Sequence, residues 1–134
     1  MPRIRATARG MGNLLLVMAG GSIGAGLRYL FGRMTISAIG PGYPWGTMGV
    51  NLIGGLLMGC LAGLLTRTSL GETARLLLGV GVLGGFTTFS AFSLDAVTML
   101  ERGAVVAAGG YVIVSVVGSV TALYAGLLIV RGLT

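Results

Sequence analysis

The sequence predicts an all-α membrane protein with four transmembrane helices in each subunit, and three observations lead to this prediction. Of the 134 residues, 54% are hydrophobic and only 9% are charged, and the mean hydropathy is +0.96, values that water-soluble domains of this size do not normally show. The nine basic and three acidic residues leave long charge-free intervals between them. The chain also contains 26 glycines, the residue type on which transmembrane helices pack closely.

The charge-free intervals locate the four spans. A helix needs about 20 apolar residues to cross the hydrocarbon, and the interval between Arg33 and Arg67 is too long for a single crossing. The sequence Pro-Gly-Tyr-Pro at 41–44 divides it, and Tyr43 and Trp45 suit the membrane interface. We therefore place the spans near 12–34, 45–66, 73–100 and 104–130, which leaves a basic N-terminal tail at 1–11 and a C-terminal tail at 132–134.

The first segment has two interpretations. Three arginines, Arg3, Arg5 and Arg9, precede a short apolar run at 14–19, and small residues follow it, as in a cleaved signal peptide. The helical pattern continues through Arg28, which favours a membrane span instead. Near the end of this span, Arg28 either extends to the membrane surface or forms an electropositive vestibule that concentrates anions.

The distribution of arginines gives a weak orientation. Because the number of spans is even, both termini lie on one side of the membrane, with six arginines there and three on the other side. That difference favours the termini inside the cell. Without the tail the count is three against three, so insertion in both directions stays open, and the tail is the feature that argues against it.

Small and polar residues recur every four positions in the second span. Asn51, Gly55, Gly59 and Gly63 lie on one stripe of a helix. For the glycines this pattern predicts a seam where two helices pack. An amide in hydrocarbon needs partners, so Asn51 is either a hydrogen-bonding link between helices or a donor that lines a pore.

The fourth span repeats the spacing with three hydroxyl-bearing residues. Tyr111, Ser115 and Ser119 are four residues apart and share one helix face. Hydroxyls of this kind often bond back to their own helix. Three in register also form a row of O–H groups that could pass an acceptor from one donor to the next, and this second interpretation is slightly favoured.

The third span is predicted to break in mid-membrane. The segment 84–90, Gly-Gly-Phe-Thr-Thr-Phe-Ser, combines adjacent glycines with β-branched threonines, which weaken a helix. Non-helical backbone at that depth survives only inside protein or along a cavity, where its carbonyls become ligands. The alternative is a packing kink satisfied by threonine hydroxyls. Just past the break, Phe89 and Phe92 project from one side of the helix. They are either core or lipid-facing rings, or rings whose positive edges can face an anion.

Three motifs occur in order along the chain: Gly20–Tyr29, Gly46–Asn51 with Gly54 and Gly59, and Gly84–Phe92. Together they closely resemble the Fluc (CrcB-like) fluoride channels. The resemblance runs from about Asn13 to Arg131 in order and spacing. It implies a passive, fluoride-selective channel that exports fluoride across the bacterial plasma (inner) membrane. It also implies an antiparallel, dual-topology homodimer with two pores and a central structural sodium ion (Na⁺) at its interface.

The resemblance also assigns site residues. It implies that Phe89 and Phe92 are the pore phenylalanines, that Asn51 is the pore amide and that Arg28 is the vestibule arginine. The polar track of the fourth helix corresponds to Tyr111, Ser115 and Ser119, with Thr88 and Ser90 as further hydroxyls. The carbonyls of Gly84 and Thr87 correspond to the sodium ligands. Two departures are Leu56, where the family often has phenylalanine, and Ala91, where threonine is usual.

Composition limits the other function classes. The chain has no histidine, which excludes imidazole catalysis and histidine-ligated metals, and its single cysteine, Cys60, cannot form a disulfide within the chain. No nucleophile, base and orienting group can be assembled, so an enzyme is the least favoured class.

Two alternatives to a channel remain. One is a small four-helix multidrug or cation exporter, and the other is a non-transporting assembly subunit. Proton-coupled export needs a carboxylate within a span, for which Asp95 is the only candidate. Otherwise Asp95, Glu101 and Arg102 indicate a solvated cluster or a helix-end pair.

Overall fold

The protein is all-helical, and four of its helical segments are long and apolar enough to cross a membrane. In the computed structural model the backbone is described for residues 2–133 and the side chains for residues 7–133. The membrane-length segments are Thr7–Ile39, Trp45–Arg67, Gly71–Glu101 and Val105–Gly132. The predicted all-α class with four apolar helices is therefore confirmed.

The first helix, α1, runs from Pro2 to Ile39 and is longer than the predicted span. The segment 1–11, predicted to be a basic tail, continues this helix from Pro2 onward, and the predicted span 12–34 lies within it. Proline is well suited to a first helical turn because it lacks an N–H that would need a partner. The helix ends before Gly40, whose φ of +96° is favourable for glycine alone.

The second and last helices, α2 (Trp45–Arg67) and α6 (Val105–Gly132), pack along a glycine seam. A Cβ atom built on Gly55 would lie 2.8 Å from the carbonyl oxygen of Ser119, and one on Gly59 would overlap the carbonyl of Leu123. The two backbones therefore touch directly. This confirms the prediction that the glycine stripe of the second span is a packing seam.

Near its start, the third membrane segment contains a π-helix that was not predicted from the sequence. A short helix α3 (Gly71–Ala74) leads into π-helical turns over Arg75–Leu83, where the N–H of Gly84 bonds the carbonyl of Gly79 five residues earlier. A Cβ on Gly81 would lie 2.9 Å from the Cα of Gly20 in α1. The π-helix thus lies where α1 and the third segment approach most closely through glycines.

The third segment breaks after α4 (Gly84–Phe86) and resumes as α5 (Phe89–Glu101). Thr87 (φ −81°, ψ 158°) and Thr88 (φ −154°, ψ 124°) are extended. The Thr88 hydroxyl accepts the N–H of Ala91 at 3.2 Å and so caps α5. The break lies within the predicted segment 84–90. It brings Phe92 into a buried cluster with Met48 and Tyr111.

Candidate functional site

A cavity of about 410 Å³ lies beside the break, between α2, α5 and α6. It gathers most of the residues singled out in the sequence. Of these, the cavity is lined by Asn51, Thr87, Thr88, Phe89, Phe92, Ser115 and Ser119. Residues from three helices therefore meet at one place although they are far apart in sequence. The other lining residues, such as Gly54 and Val116, are small or apolar.

Asn51 holds the broken backbone at Thr88. Its Nδ2 donates to the carbonyl oxygen of Thr88 at 2.9 Å, and its Oδ1 accepts the N–H of Thr88 at 2.8 Å. The amide therefore replaces the partners that Thr88 loses by leaving the helix. An amide nitrogen carries two hydrogens, and the bond to Thr88 uses one of them. The second hydrogen is not used by this bond, so the two predicted roles of Asn51, link and donor, are compatible.

The break frees the backbone carbonyls of Gly84 and Thr87. In an uninterrupted α-helix these oxygens would accept the N–H groups of Thr88 and Ala91, four residues further on. Here the N–H of Thr88 bonds Asn51 and the N–H of Ala91 bonds the Thr88 hydroxyl. Carbonyl oxygens of this kind are ligands for hard cations. Within residues 7–133 no group of three His, Cys, Asp or Glu side chains could hold a metal ion.

The threonine hydroxyls are satisfied locally, as the kink interpretation anticipated. Thr87 Oγ1 donates to the carbonyl of Leu83 at 2.9 Å, and Thr88 Oγ1 lies 3.3 Å from Ser90 Oγ. Ser90 itself is exposed and does not line the cavity. The break therefore combines a hydroxyl-satisfied kink with a cavity-lining backbone.

Ser115 and Ser119 differ from Ser22 and Ser93, two other serines in α-helices. Ser22 and Ser93 bond back to the carbonyls of Met18 and Phe89 at 2.8 and 2.9 Å. The hydroxyl oxygens of Ser115 and Ser119 are buried and have no hydrogen-bond partner among the described residues. An unpaired buried hydroxyl costs about 1–3 kcal/mol. Both residues lie on one wall of the cavity.

Aromatic rings flank this wall. Phe89 and Phe92 have centroids 5.4 Å apart, and Phe92 lies at the same centroid distance from Tyr111. Phe89 is 77% exposed, whereas Phe92 is 8% and Tyr111 0% exposed. Exposure therefore falls from Phe89 through Phe92 to Tyr111. Phe89 and Phe92 line the cavity, whereas Tyr111 lies behind them and is not part of the lining.

Two residues considered in the sequence, Arg28 and Asp95, do not line this cavity. Arg28 is half-buried on α1 and lines neither this cavity nor a second one at the other end of the bundle. Asp95, for which the sequence suggested a carboxylate within a span, a solvated cluster or a helix-end pair, accepts the hydroxyl of Tyr111 at Oδ2, at 3.2 Å. The available signal was its position three residues after Phe92, which puts both on one face of α5.

Comparison with known proteins relates most of the chain to one family. The model of the CrcB-like protein family, Camphor Resistance (CrcB), matches residues 15–127. A Sphingopyxis alaskensis protein named fluoride-specific ion channel FluC is 52% identical over 124 residues, covering 92% of this chain and 98% of its own. Proteins of the same name from Mesorhizobium japonicum and Phenylobacterium zucineum are 49% and 56% identical, covering 92% and 88% of this chain and 99% and 94% of their own.

Proposed function

The chain belongs to the CrcB-like family, and from this premise we propose that it is a passive channel that lets fluoride leave the bacterial cell. It is a multi-pass membrane protein and not an enzyme. The relatives at about half identity are named fluoride-specific ion channels, and they cover nearly the whole of this chain. The structural support comes from the cavity wall that contains Asn51, Ser115 and Ser119.

The observation that carries the proposal is the pair of buried, unpartnered serine hydroxyls on residues that line the same cavity as Asn51. Fluoride is small and strongly hydrated, so a pore must replace its water with hydrogen-bond donors. Ser115 Oγ, Ser119 Oγ and the second N–H of Asn51 can supply three such donors without a formal charge. Conduction needs sites that bind well enough to admit the ion and weakly enough to release it. Neutral donors meet both conditions.

The phenylalanines supply the remaining part of the proposed wall. The edge of an aromatic ring carries a positive quadrupole, so Phe89 and Phe92 can face an anion without binding it as tightly as an arginine would. We assign Tyr111 and the hydroxyls of Thr88 and Ser90 to the ends of this path. Arg28 is assigned to the approach, where a cation raises the local concentration of anions.

We further propose that two copies form an antiparallel homodimer with two pores. Phe89 is 77% exposed in a single chain, beside hydroxyls that need partners, so a second copy is needed to close this side of the cavity. Antiparallel assembly requires insertion in both directions, and the balanced arginines outside the N-terminal segment allow it. Labelling of a Thr68→Cys variant with Cys60→Ala is expected to occur from both sides of the membrane. Labelling from one side alone would contradict dual topology.

A structural sodium ion fits the residues at the break. Gly84 and Thr87 would hold it through the carbonyl oxygens whose helical N–H partners bond elsewhere, and each copy would contribute the same pair. The ion would supply a fixed positive charge beside the anion path. Purification in N-methylglucamine instead of sodium is expected to lower the unfolding free energy of the dimer and its fluoride flux. Equal stability in both cations would contradict this assignment.

Efflux from vesicles tests the function directly. Liposomes loaded with potassium fluoride and carrying the purified protein are expected to release fluoride when valinomycin balances the charge, without a pH gradient. Liposomes loaded with potassium chloride should retain it, and protein-free vesicles control for leakage. Release that requires a proton gradient would indicate a coupled exporter, and no release would contradict the proposal.

A further inference from the structure

Gly54 is a glycine of α2 that lies directly against the break in the third segment. It is buried, and a Cβ atom built on it would overlap the methyl carbon of Thr87 and lie 3.5 Å from the ring of Phe86. Gly55 and Gly59 of the seam instead meet backbone atoms of α6. The missing side chain of Gly54 therefore makes room for Thr87 and not for a neighbouring helix.

Two hydrogen bonds hold the side chain of Thr87 against Gly54. The N–H of Thr87 donates to the carbonyl oxygen of Leu83 at 3.0 Å, and Oγ1 donates to the same oxygen at 2.9 Å. Because both heavy atoms of a threonine side chain are attached to Cβ, the direction of the hydroxyl also sets the direction of the methyl group. The methyl group thus cannot turn away from α2 unless the hydroxyl gives up its bond to Leu83.

The short helix α4, which ends one residue before Thr87, is packed tightly on α1. A Cβ atom on Gly85 would lie 2.6 Å from the carbonyl oxygen of Gly21. The ring of Phe86 meets the ring of Phe31 edge-on, with centroids 6.4 Å apart and an angle of 77° between the planes. Interiors packed this closely resist even small displacements. The backbone before the break therefore has little freedom to follow a displaced Thr87.

The direction of the Thr87 carbonyl depends on these contacts. Thr87 is extended, and the N–H of Ala91, which would bond its oxygen in an uninterrupted helix, bonds the Thr88 hydroxyl instead. Two residues of α2 secure this stretch of backbone. Asn51 bonds the N–H and the carbonyl of Thr88, and Gly54, three residues later and on the same side of the helix, receives the methyl group of Thr87.

From this arrangement we propose that Gly54 is a positioning residue, which sets the direction of the Thr87 carbonyl oxygen by leaving room for the Thr87 methyl group. The proposal rests on the proposed function, in which this oxygen is a sodium ligand, and it adds the residue that orients the ligand. Tight binding requires ligands that are already held in place. The loss of a group that orients a metal ligand typically lowers the affinity for the metal about 10- to 100-fold.

The test measures how sodium stabilises the protein. Each variant is purified in N-methylglucamine chloride and titrated with sodium chloride in dodecylmaltoside micelles at constant ionic strength, while circular dichroism follows thermal unfolding. Because a cation that binds the folded state raises the unfolding temperature, the sodium concentration at which the rise begins reports the apparent Kd. Gly54→Ala is expected to raise this Kd about 10- to 100-fold. Gly63→Ala is the matched control on the same helix, where the added methyl group would lie 2.9 Å from the side chain of Val130. It should lower the unfolding temperature equally with and without sodium and leave the Kd unchanged.

A second substitution provides a rescue. Thr87→Ser keeps the hydroxyl that bonds Leu83 and removes the methyl group, so Gly54→Ala combined with Thr87→Ser should bind sodium more tightly than Gly54→Ala alone. If Gly54→Ala does not fold, the double variant is still expected to fold and to bind sodium.

The possible failures can be told apart. An unchanged Kd in Gly54→Ala, or a double variant that recovers no sodium binding, would refute the positioning role. If sodium does not stabilise the wild-type protein, the sodium assignment is wrong and this proposal falls with it. Fluoride efflux from vesicles tests the channel function separately.

Discussion

The hydrogen bonds between Asn51 and Thr88 predict a large effect from a small substitution. Asn51→Ala removes the donor and the acceptor that hold Thr88, at 2.9 and 2.8 Å. Thr88 is only 9% exposed, and as an extended residue it has no helical partner for its N–H. The substitution therefore leaves two backbone groups without the partners they have in the native protein.

The size of the destabilisation depends on which new hydrogen-bond partners the N–H and carbonyl of Thr88 find. Side-chain hydrogen bonds in membrane proteins average about 0.6 kcal/mol, so two ordinary ones would contribute about 1.2 kcal/mol. A buried group left unsatisfied costs about 1–3 kcal/mol, which gives about 2–6 kcal/mol for two. Thr88 lines the cavity, and water there can satisfy part of the loss. We therefore expect a destabilisation of about 2 kcal/mol, near the lower end of this range.

The assay is unfolding in mixed micelles of dodecylmaltoside and increasing SDS, followed by far-ultraviolet circular dichroism. Ser93→Ala is the matched control, because it removes one side-chain bond to a carbonyl of the same helix and leaves no backbone N–H unpaired. Its effect should stay below about 0.5 kcal/mol. If Asn51→Ala and Ser93→Ala destabilise the protein equally, the amide does not hold the break. Asn51→Ser should also lower the fluoride flux in liposomes without unfolding the protein.

The other predictions concern the glycine seam, the exposed ring and the unpaired hydroxyl. Gly59→Ala places a methyl group on the backbone of α6 and should destabilise the protein by about 1–3 kcal/mol in the same titration, whereas Gly109→Ala, with nothing within 4 Å, should not. Phe89→Ile should lower fluoride flux while the protein stays folded, and Leu94→Ile, at a similarly exposed position of the same helix, should leave flux unchanged; equal flux in both would contradict the pore role of Phe89. Ser115→Ala should lower flux while leaving the unfolding free energy unchanged or higher, because no bond is lost; a clear loss of stability would show that its hydroxyl is bonded within the protein.

Local sequence features predicted the parts of the fold that depend on neighbouring residues. The length of the charge-free intervals predicted the four spans, because charged side chains are poorly solvated in the membrane. Adjacent glycines and threonines predicted the break, because both residue types have a low helix propensity. The glycine stripe predicted the α2–α6 seam from helix periodicity alone. The assignment of individual roles, such as sodium ligands at Gly84 and Thr87, came from resemblance to a family and not from these patterns.

Features that depend on distant partners were not predicted. The bonds of Asn51 join residues 37 positions apart, and the sequence could indicate only that the amide needs a partner. The contact of Asp95 with Tyr111 is likewise set by the packing of α5 on α6. The π-helix at Arg75–Leu83 has no signature in hydropathy, because it depends on how closely α1 approaches. The first helix extends beyond its predicted limits because its basic residues also favour a helix once one has begun.

The amide of Asn51 also connects two parts of the molecule mechanically. It lies on α2, one turn before Gly55, and it bonds both the N–H and the carbonyl of Thr88 in the third segment. We therefore expect a movement of α2 against α6 to shift the extended residues Thr87 and Thr88 at the break. A methyl group added further along the seam, at Gly59, is therefore expected to shift the backbone at Thr88 without touching it. The effect of a substitution along α2 should consequently depend on how far it shifts Asn51, and not on its distance from the break.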